Sequence, residues 1–167
     1  MLKIVITEKN IVFSTRKIKY SKKDYKNGFK LKLSSVLRNP TSMMTYLKAL
    51  SYNENLYEYN KANKEGFNEV VFLNIYGNIA EGATSNIFII KDKKIYTPKI
   101  SDGILPGVVR NWVIKNFRVC EKHLDKEDLY SADEVFITNS ILGIMKIVQF
   151  EERSYSTSMV ERIRSEY

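Results

Sequence analysis

Three short segments of this chain carry residues whose types and order could perform chemistry together. Lys48 supplies a primary amine, and Glu81 follows 33 residues later inside the run Gly77 to Phe88. Apolar neighbours make an unpaired carboxylate at Glu81 costly, so we expect it to have a cationic partner. The turn Gly103 to Gly107 precedes a helical pattern, whose first N–H groups could bind a phosphate. Residue type alone does not single out Lys48, because the chain contains many lysines.

The composition indicates one globular domain and few options for metal chemistry. Of the 167 residues, 44% are hydrophobic and 12% aromatic, which is enough for a substantial core. The single cysteine, Cys120, excludes an internal disulfide and a cysteine-based metal cluster, and the single histidine, His123, argues against a histidine-rich site or a catalytic triad. Apolar stretches are too short to cross a bilayer, and no signal peptide is evident. We therefore expect a cytoplasmic protein without a metal.

The net charge of +8 admits two kinds of partner. Arg16 to Lys32 holds eight Lys or Arg residues with interleaved aromatic residues, a pattern that could bind nucleic acid by counterion release. However, Phe29, Leu31 and Leu33 alternate there with lysines, which is typical of a half-buried strand with a solvated face. The strand is the better interpretation. An anionic small molecule is thus the expected partner, and nucleic acid a distant alternative.

Hydrophobic periodicity predicts an α/β chain rich in strands. The predicted strands are Leu2–Thr7, Asn10–Thr15, Gly28–Arg38, Val70–Ile75, Ala80–Lys91, Ile95–Thr97, Glu134–Thr138 and Gly143–Phe150. The predicted helices are Ala49–Glu65, one beginning near Gly107, Glu127–Ala132, and a last one capped by Thr157. The strands between Val70 and Thr97 are expected to form an antiparallel meander.

Two further expectations concern the surroundings of Lys48. The helix Ala49–Glu65 should place Lys48 at its start and bury a face formed by Leu50, Leu56, Tyr59 and Ala62. Ile18–Gly28 is predicted to be a charged connector.

Taken in order, these segments resemble the C-terminal large domain of the fold-type IV pyridoxal-phosphate enzymes, the class IV aminotransferase family. Tyr46 to Asn53 is similar to the family's Lys-Thr-Leu-Asn-Tyr-Leu segment, and Ala80 to Phe88 to its Glu-Gly-x-x-Ser-Asn motif. Gly103 to Arg110 resembles the turn Gly-Ile-Leu-x-Gly-x-x-Arg, and Asp133 to Ser140 the family's Thr-Asn-Ser strand end. The resemblance implies an α/β (α+β) fold of the D-amino-acid aminotransferase type, with a mostly antiparallel sheet or pseudobarrel and flanking helices.

The resemblance implies that pyridoxal 5′-phosphate is the cofactor and indicates which residues would bind each of its two ends. Lys48 would form the Schiff base and, once desolvated, act as general base at the substrate carbon. Glu81 would face the pyridine nitrogen and keep it protonated. Ser85 and Asn86 would support the cofactor loop or contact the cofactor itself.

The phosphate end follows from the same resemblance. Main-chain N–H groups at Val108 and Val109 would bind the phosphate, although many relatives place a threonine where Val109 stands. Ser140 would bind the phosphate or a substrate carboxylate. Arg110 is expected to pair with a carboxylate that fixes the turn.

The strand end Thr138 to Met145 resembles aminodeoxychorismate lyases more than branched-chain aminotransferases. It implies a homodimeric lyase that converts 4-amino-4-deoxychorismate to 4-aminobenzoate and pyruvate, a step in folate precursor synthesis. Lys146 departs from the pattern, since relatives commonly carry proline there. Two alternatives stay open: a class IV aminotransferase acting on branched-chain or D-amino acids, and a truncated, non-catalytic pseudo-domain that keeps the fold.

The resemblance divides the chain in two. Residues 21–167 correspond to the cofactor-binding large domain, and residues 1–20 to the end of the small N-terminal domain with its connector. Roughly a hundred preceding residues of a family member have no counterpart. In the family, that part supplies an arginine for the phosphate, one wall of the substrate pocket and much of the dimer interface.

Overall fold

The computed structural model describes residues 1–50 and 52–167 as strands joined by short helices and turns. The strands are β1 Leu2–Ile6, β2 Ile11–Thr15, β3 Phe29–Arg38, β4 Glu69–Asn74, β5 Ile79–Gly82, β6 Asn86–Lys91, β7 Lys94–Pro98, β8 Val119–Lys122, β9 Glu134–Asn139, β10 Gly143–Phe150 and β11 Arg153–Ser154. The α-helices are α1 Lys22–Asn27, α2 Asn53–Lys64, α3 Val108–Asn116, α4 Lys126–Tyr130 and α5 Ser158–Glu166. Two 3-10 helices cover Met43–Tyr46 and Ile100–Asp102.

Nine of these strands form one curled sheet. Its order is β5-β4-β3-β10-β9-β6-β7-β8, with β11 paired to β10. Neighbours run antiparallel except in the pairs β10–β3, β3–β4 and β7–β8. Although β5 is at one end of the order, it contacts β6 and β7, and the N–H of Ile79 donates to the carbonyl of Leu124 beyond β8 at 2.6 Å. The predicted pseudobarrel with a mostly antiparallel sheet and flanking helices is confirmed.

The apolar core lies on both sides of the central strands. Phe88 in β6 and Phe136 in β9 stack with ring centroids 4.6 Å apart, under a layer that includes α3 and α5. Ile87 and Ile137 point to the opposite side and join a second cluster inside the curl. Because β6 is buried on both faces, its sequence is a continuous apolar run and not an alternating one.

The prediction that the strands between Val70 and Thr97 form one antiparallel meander is wrong. The chain from Ala80 to Lys91 forms two strands, β5 and β6, separated by the loop Ala83–Ser85. β5 pairs with β4, whereas β6 pairs with β7 and β9. A tight turn causes the break, since the N–H of Gly82 donates to the carbonyl of Ser85 at 2.7 Å.

The helix after Lys48 also differs from the prediction. α2 begins at Asn53, so Lys48 lies five residues before it in irregular structure, and Ser51 is outside the described residues. Of the predicted face, Ala62 is buried and Tyr59 is partly buried, whereas Leu50 and Leu56 are exposed. The helix also buries the polar residues Asn55 and Glu58. The buried polar atoms are paired: Asn55 donates to the carbonyl of Ala83 at 2.8 Å, and Glu58 accepts from the Ser34 hydroxyl at 2.8 Å. Hydrogen bonding therefore overrides the apolar pattern.

Several short elements were missed by the sequence analysis, namely α1, β8, the two-residue strand β11 and both 3-10 helices. α1 lies within the predicted connector and begins with a capping box, in which Ser21 and Asp24 satisfy each other's backbone N–H groups. β8 is half-exposed and lacks a clear apolar pattern. By contrast, β3 agrees with the expected strand, since Phe29 and Leu31 are buried and Lys30 is exposed.

The N-terminal hairpin stands apart from the curled sheet. Within residues 1–50 and 52–167, β1 and β2 pair only with each other, and they are joined at the predicted Glu8–Lys9 turn. Their register places five large apolar side chains on one face, each more than half exposed: Leu2, Ile4, Ile6, Ile11 and Phe13. Among the described residues, no helix has both the length and the apolarity required to cross a membrane.

Candidate active site

Glu81 lies in β5 with its carboxylate almost completely buried. Its Oε2 atom accepts the N–H of Leu105 at 2.9 Å and the amide of Asn86 at 3.4 Å, while Oε1 receives no hydrogen bond from the described residues. Burial raises the pKa of this carboxyl to about 7, against the opposing effects of the Leu105 N–H and of the Arg38 and Lys48 charges. The expected ion pair is absent among the described residues, because both cations act from beyond contact distance.

Asn86 connects Glu81 to the glycine-containing turn. Its amide donates to the carbonyl of Leu105 at 2.8 Å as well as to Glu81. Its Oδ1 atom occupies the space that a side chain on Gly107 would need, so a Cβ at position 107 would clash with it. The first residue of β6 therefore holds the turn against the end of β5.

The turn leads directly into α3, as predicted. Gly103 adopts a φ of 89°, a backbone conformation that favours glycine. Gly107 is the N-cap of α3, and no side chain of residues 1–50 or 52–167 caps this helix. Val108 is exposed and Val109 is buried, and the uncapped first N–H groups of α3 could bind an anion.

Arg110 has the structural role expected from the sequence. Its side chain is buried and donates to the carbonyl of Pro98 at 2.9 Å and to the carboxylate of Glu121. Its guanidinium thus joins α3 to β7 and β8 and does not point to an open site.

Lys48 is exposed, which contradicts the expected desolvation of its amine. It lies between the 3-10 helix and α2, with Nζ 6.0 Å from the ring centroid of Tyr52. No strand or helix of the described residues covers it. Its charge nevertheless reaches Glu81, where it stabilises the ionised carboxylate.

The two predicted serines occupy different environments. Ser85 is buried and its hydroxyl donates to Glu69 at 3.1 Å, so it supports the loop. Ser140 is exposed in the β9–β10 turn, where it lines an open cavity of about 330 Å³ together with Tyr25 and Arg164. The neighbouring Asn139 donates to the carbonyl of Thr84 at 3.0 Å, which holds this turn next to the loop after Glu81.

Two residues near the site were missed by the sequence analysis. Arg38 ends β3, packs its guanidinium 4.2 Å from the Phe72 ring centroid, and has a buried Nε atom without a partner among the described residues. Glu69 is fully buried at the start of β4, and the signal for it was an acid directly before an apolar run.

Lys146, identified from the sequence as a departure from the family's proline, pairs with Glu161 of α5 at 2.6 Å. This residue therefore has a structural role.

Potential metal ligands among the described residues are the His, Cys, Asp and Glu side chains. Within residues 1–50 and 52–167, no group of three or more His, Cys, Asp or Glu side chains is placed to hold a metal ion.

Comparison with known proteins agrees with this geometry. The family model described as amino-transferase class IV matches residues 5–150. The aminodeoxychorismate lyase of Bacillus subtilis (strain 168) is 35% identical over 135 residues, covering 78% of this chain and 46% of the relative. A probable branched-chain-amino-acid aminotransferase of Aquifex aeolicus (strain VF5) is 33% identical over 138 residues, covering 78% and 44%.

Similarity extends to a solved structure. An aminotransferase from Brucella abortus, bound to the co-factor PLP, superposes with a TM-score of 0.81 and 28% identity, covering 93% of this chain and 56% of that one. The chain thus spans about half the length of the relatives it matches. Since the family model covers most of its residues, the chain belongs to the class IV aminotransferase family.

Proposed function

We propose that this chain forms the pyridoxal-phosphate-binding part of a lyase that converts 4-amino-4-deoxychorismate to 4-aminobenzoate and pyruvate. The observation that carries the cofactor proposal is Glu81. It is a buried carboxylate, one oxygen of which receives no hydrogen bond from the part of the chain that the structure describes, on the strand next to the start of α3. Burying a carboxylate without a cation is costly, so a cationic ligand group is the expected partner.

The residues present fit the cofactor at both of its ends. The free Oε1 of Glu81 would accept from the protonated pyridine nitrogen, and the N–H groups of Val108 and Val109 would bind the phosphate. Asn86 contacts both regions and sets their separation. Ser140 would bind the phosphate or a carboxylate of the substrate, whereas Ser85 acts within the protein.

Lys48 would hold the cofactor covalently and move the proton. When bound, the cofactor withdraws electrons from the carbon that loses its proton. The Lys48 amine would take that proton from the amine-bearing carbon of the substrate, and Glu81 would keep the pyridine nitrogen charged. Because Lys48 is exposed among the described residues, its desolvation would require the substrate or additional polypeptide.

The reaction itself has two candidates. Support for the lyase comes from the Thr138 to Met145 strand end and from the Bacillus subtilis lyase at 35% identity. Support for an aminotransferase comes from the Aquifex aeolicus relative at 33% identity, and the two values are too close to separate the reactions. We retain the class IV aminotransferase as second candidate.

The surroundings of the site are part of the same proposal. We infer that residues 21–167 are the cofactor-binding domain and that residues 1–20 belong to a small N-terminal domain. The separate, apolar β1–β2 sheet supports this division, since two strands alone cannot bury a core. A homodimer follows from the family resemblance, and the free thiol of Cys120 is compatible with the cytoplasm.

The test of the cofactor is direct. Pyridoxal phosphate is added to the purified chain, and the absorbance band of the lysine-bound cofactor is recorded for the wild type, Lys48→Ala and a control, Lys30→Ala. We expect the band in the wild type and the control and its loss in Lys48→Ala. A wild-type chain without a band would refute cofactor binding and favour the non-catalytic pseudo-domain.

A second assay separates the two reactions. The loaded protein is incubated with 4-amino-4-deoxychorismate or with an amino acid and a keto acid. Release of 4-aminobenzoate supports the lyase, whereas amino transfer that depends on the keto acid supports the second candidate. Lys48→Ala serves as the blank in both assays.

A further inference from the structure

The loop Ala83–Ser85, which separates Glu81 from Asn86, is organised by a single buried carboxylate. Glu69 lies 12 residues before Glu81 at the start of β4 and is about 1% exposed. Its side chain accepts hydrogen bonds from the loop and from its own strand. None of the ion pairs among the described residues includes it.

Five donors converge on the Glu69 carboxylate. Oε1 accepts the N–H groups of Val70 at 3.0 Å and Ala83 at 3.2 Å. Oε2 accepts from Thr84 twice, the N–H at 3.2 Å and the hydroxyl at 2.7 Å, and from the Ser85 hydroxyl at 3.1 Å. Every one of these contacts needs an acceptor, so a carboxylate fits and an amide does not.

The loop carbonyls are bound from two other elements. Asn55 of α2 donates to the carbonyl of Ala83 at 2.8 Å, and Asn139 of β9 donates to that of Thr84 at 3.0 Å. The backbone of Ala83 and Thr84 is thereby fixed on both its donor and its acceptor sides.

Glu69 also explains two members of the Glu-Gly-x-x-Ser-Asn motif. A Cβ on Gly82 would clash with the Ser85 hydroxyl and lie 3.3 Å from the Glu69 carboxyl carbon. Glycine at position 82 therefore allows Ser85 to reach Glu69. Gly82 and Ser85 thus both support the contact with Glu69, although Glu69 itself lies outside the motif.

From these contacts we propose that Glu69 is a positioning residue for Glu81: through the Ala83–Ser85 loop it fixes the carboxylate that would face the pyridine nitrogen. The cofactor part of this inference rests on the proposed function. The positional part concerns the cofactor-free chain and can be tested without it.

Three variants distinguish a positioning role of Glu69 from an effect of its charge on Glu81. Glu69→Gln keeps the length of the side chain but turns an NH₂ group towards at least two donors, and Glu69→Asp keeps the charge but is too short to reach the loop. Glu58→Gln is the matched control, because Glu58 is also buried but bonds to Ser34.

Two measurements are made on the cofactor-free proteins: hydrogen exchange at the amide of Thr84, and the Glu81 titration by carbon-13 NMR. The Ala83 amide is unsuitable, because it also donates to the carbonyl of Val70 at 3.1 Å.

We expect both Glu69 variants to speed the exchange of the Thr84 amide roughly tenfold or more, as loss of a buried hydrogen bond implies. We also expect the Glu81 midpoint to move to lower pH in both, because release of the loop lets water reach the carboxylate. The control should leave both measurements unchanged. If Glu69→Asp retains the wild-type midpoint while Glu69→Gln shifts it, the effect is one of charge and the positioning role is overturned.

A second pair of measurements covers the other outcomes. Thr84→Val removes one hydroxyl donor at nearly constant shape, so it tests the loop even if the Glu69 variants do not fold; unchanged exchange at Thr84 would contradict the inference. With pyridoxal phosphate, we expect roughly tenfold weaker binding in Glu69→Gln than in Glu58→Gln. A wild type that does not bind the cofactor refutes the proposed function, while exchange and titration still decide the role of Glu69.

Discussion

Oε2 of Glu134, in β9, accepts the backbone N–H of Val160, in the first turn of α5, at 2.9 Å. Oε1 of the same carboxylate accepts the N–H of Met159 at 3.0 Å. Thr157 is the N-cap residue but makes no side-chain cap hydrogen bond, contrary to the sequence-based expectation. A residue distant in sequence thus caps the helix that covers Phe88 and Phe136.

Removing this carboxylate should therefore cost more than removing the sequence-predicted cap. We expect Glu134→Ala to lower the free energy of unfolding by about 1–2 kcal/mol, as for other lost helix caps. Thr157→Ala should change it by no more than about 0.5 kcal/mol. Urea denaturation followed by far-ultraviolet circular dichroism measures both, and equal losses would contradict the assignment.

Glu81 should make the stability of the cofactor-free chain depend on pH. Its pKa is about 7 in the folded chain and 4.5 ordinarily, so the folded state binds this proton more tightly. The contribution favours folding below the ordinary value and is lost as the pH rises through 7. Between about pH 4.5 and pH 8, we expect the wild type to lose about 3 kcal/mol relative to Glu81→Gln. Urea denaturation of both proteins across this range measures the difference, and parallel pH profiles would show that Glu81 titrates normally.

The contact between Asn86 and Gly107 should be visible as a coupling energy. Gly107→Ala places a Cβ against Asn86 Oδ1, and we expect a loss of about 1–3 kcal/mol from overpacking. Asn86→Ala removes the obstructing atom, so the double variant should be more stable than the sum of the single losses predicts. A double-mutant cycle with all four proteins gives the coupling directly. Additive losses would mean that the two residues do not meet.

The apolar face of the N-terminal hairpin should bind a hydrophobic dye. Ile4 and Phe13 are cross-strand partners on that face and are 51% and 65% exposed. We expect Ile4→Ser with Phe13→Ser to reduce the fluorescence of bound anilinonaphthalene sulfonate and to change the unfolding free energy by no more than about 0.5 kcal/mol. Ser14→Ala, on the opposite face, is the control. Undiminished fluorescence would place the dye elsewhere.

Local signals predicted much of this fold. The alternation of Phe29 and Leu31 with lysines predicted β3, and the glycine before Val108 with the 3.6-residue spacing of Val109 and Val113 predicted α3. In both cases the apolar pattern faces the core, so periodicity and burial agree. Such elements are defined by neighbours in sequence.

Other features depend on contacts that local patterns do not contain. α2 buries Asn55 and Glu58 and leaves its leucine exposed, because Ala83 and Ser34 supply hydrogen-bond partners from distant segments. The loop after Glu81 is held by Glu69. The strand pattern of the sequence identifies Glu69 only as the first residue of β4 and does not indicate this contact. Lys48 could be identified from the family resemblance. The exposure of its amine, however, depends on which other segments pack against it.

The connection between β5 and β6 has a mechanical consequence. Only three residues join the first strand of the sheet order to the sixth, and they are too few to span a flat sheet, so the strands can all stay paired only while the sheet is closed on itself. If a strand pair separated and the sheet opened, the carboxylate at 81 and the helix start at 108 would no longer be held together. A ligand that binds both would stabilise the closed sheet by mass action, and this stabilisation would grow with the logarithm of the ligand concentration above the dissociation constant.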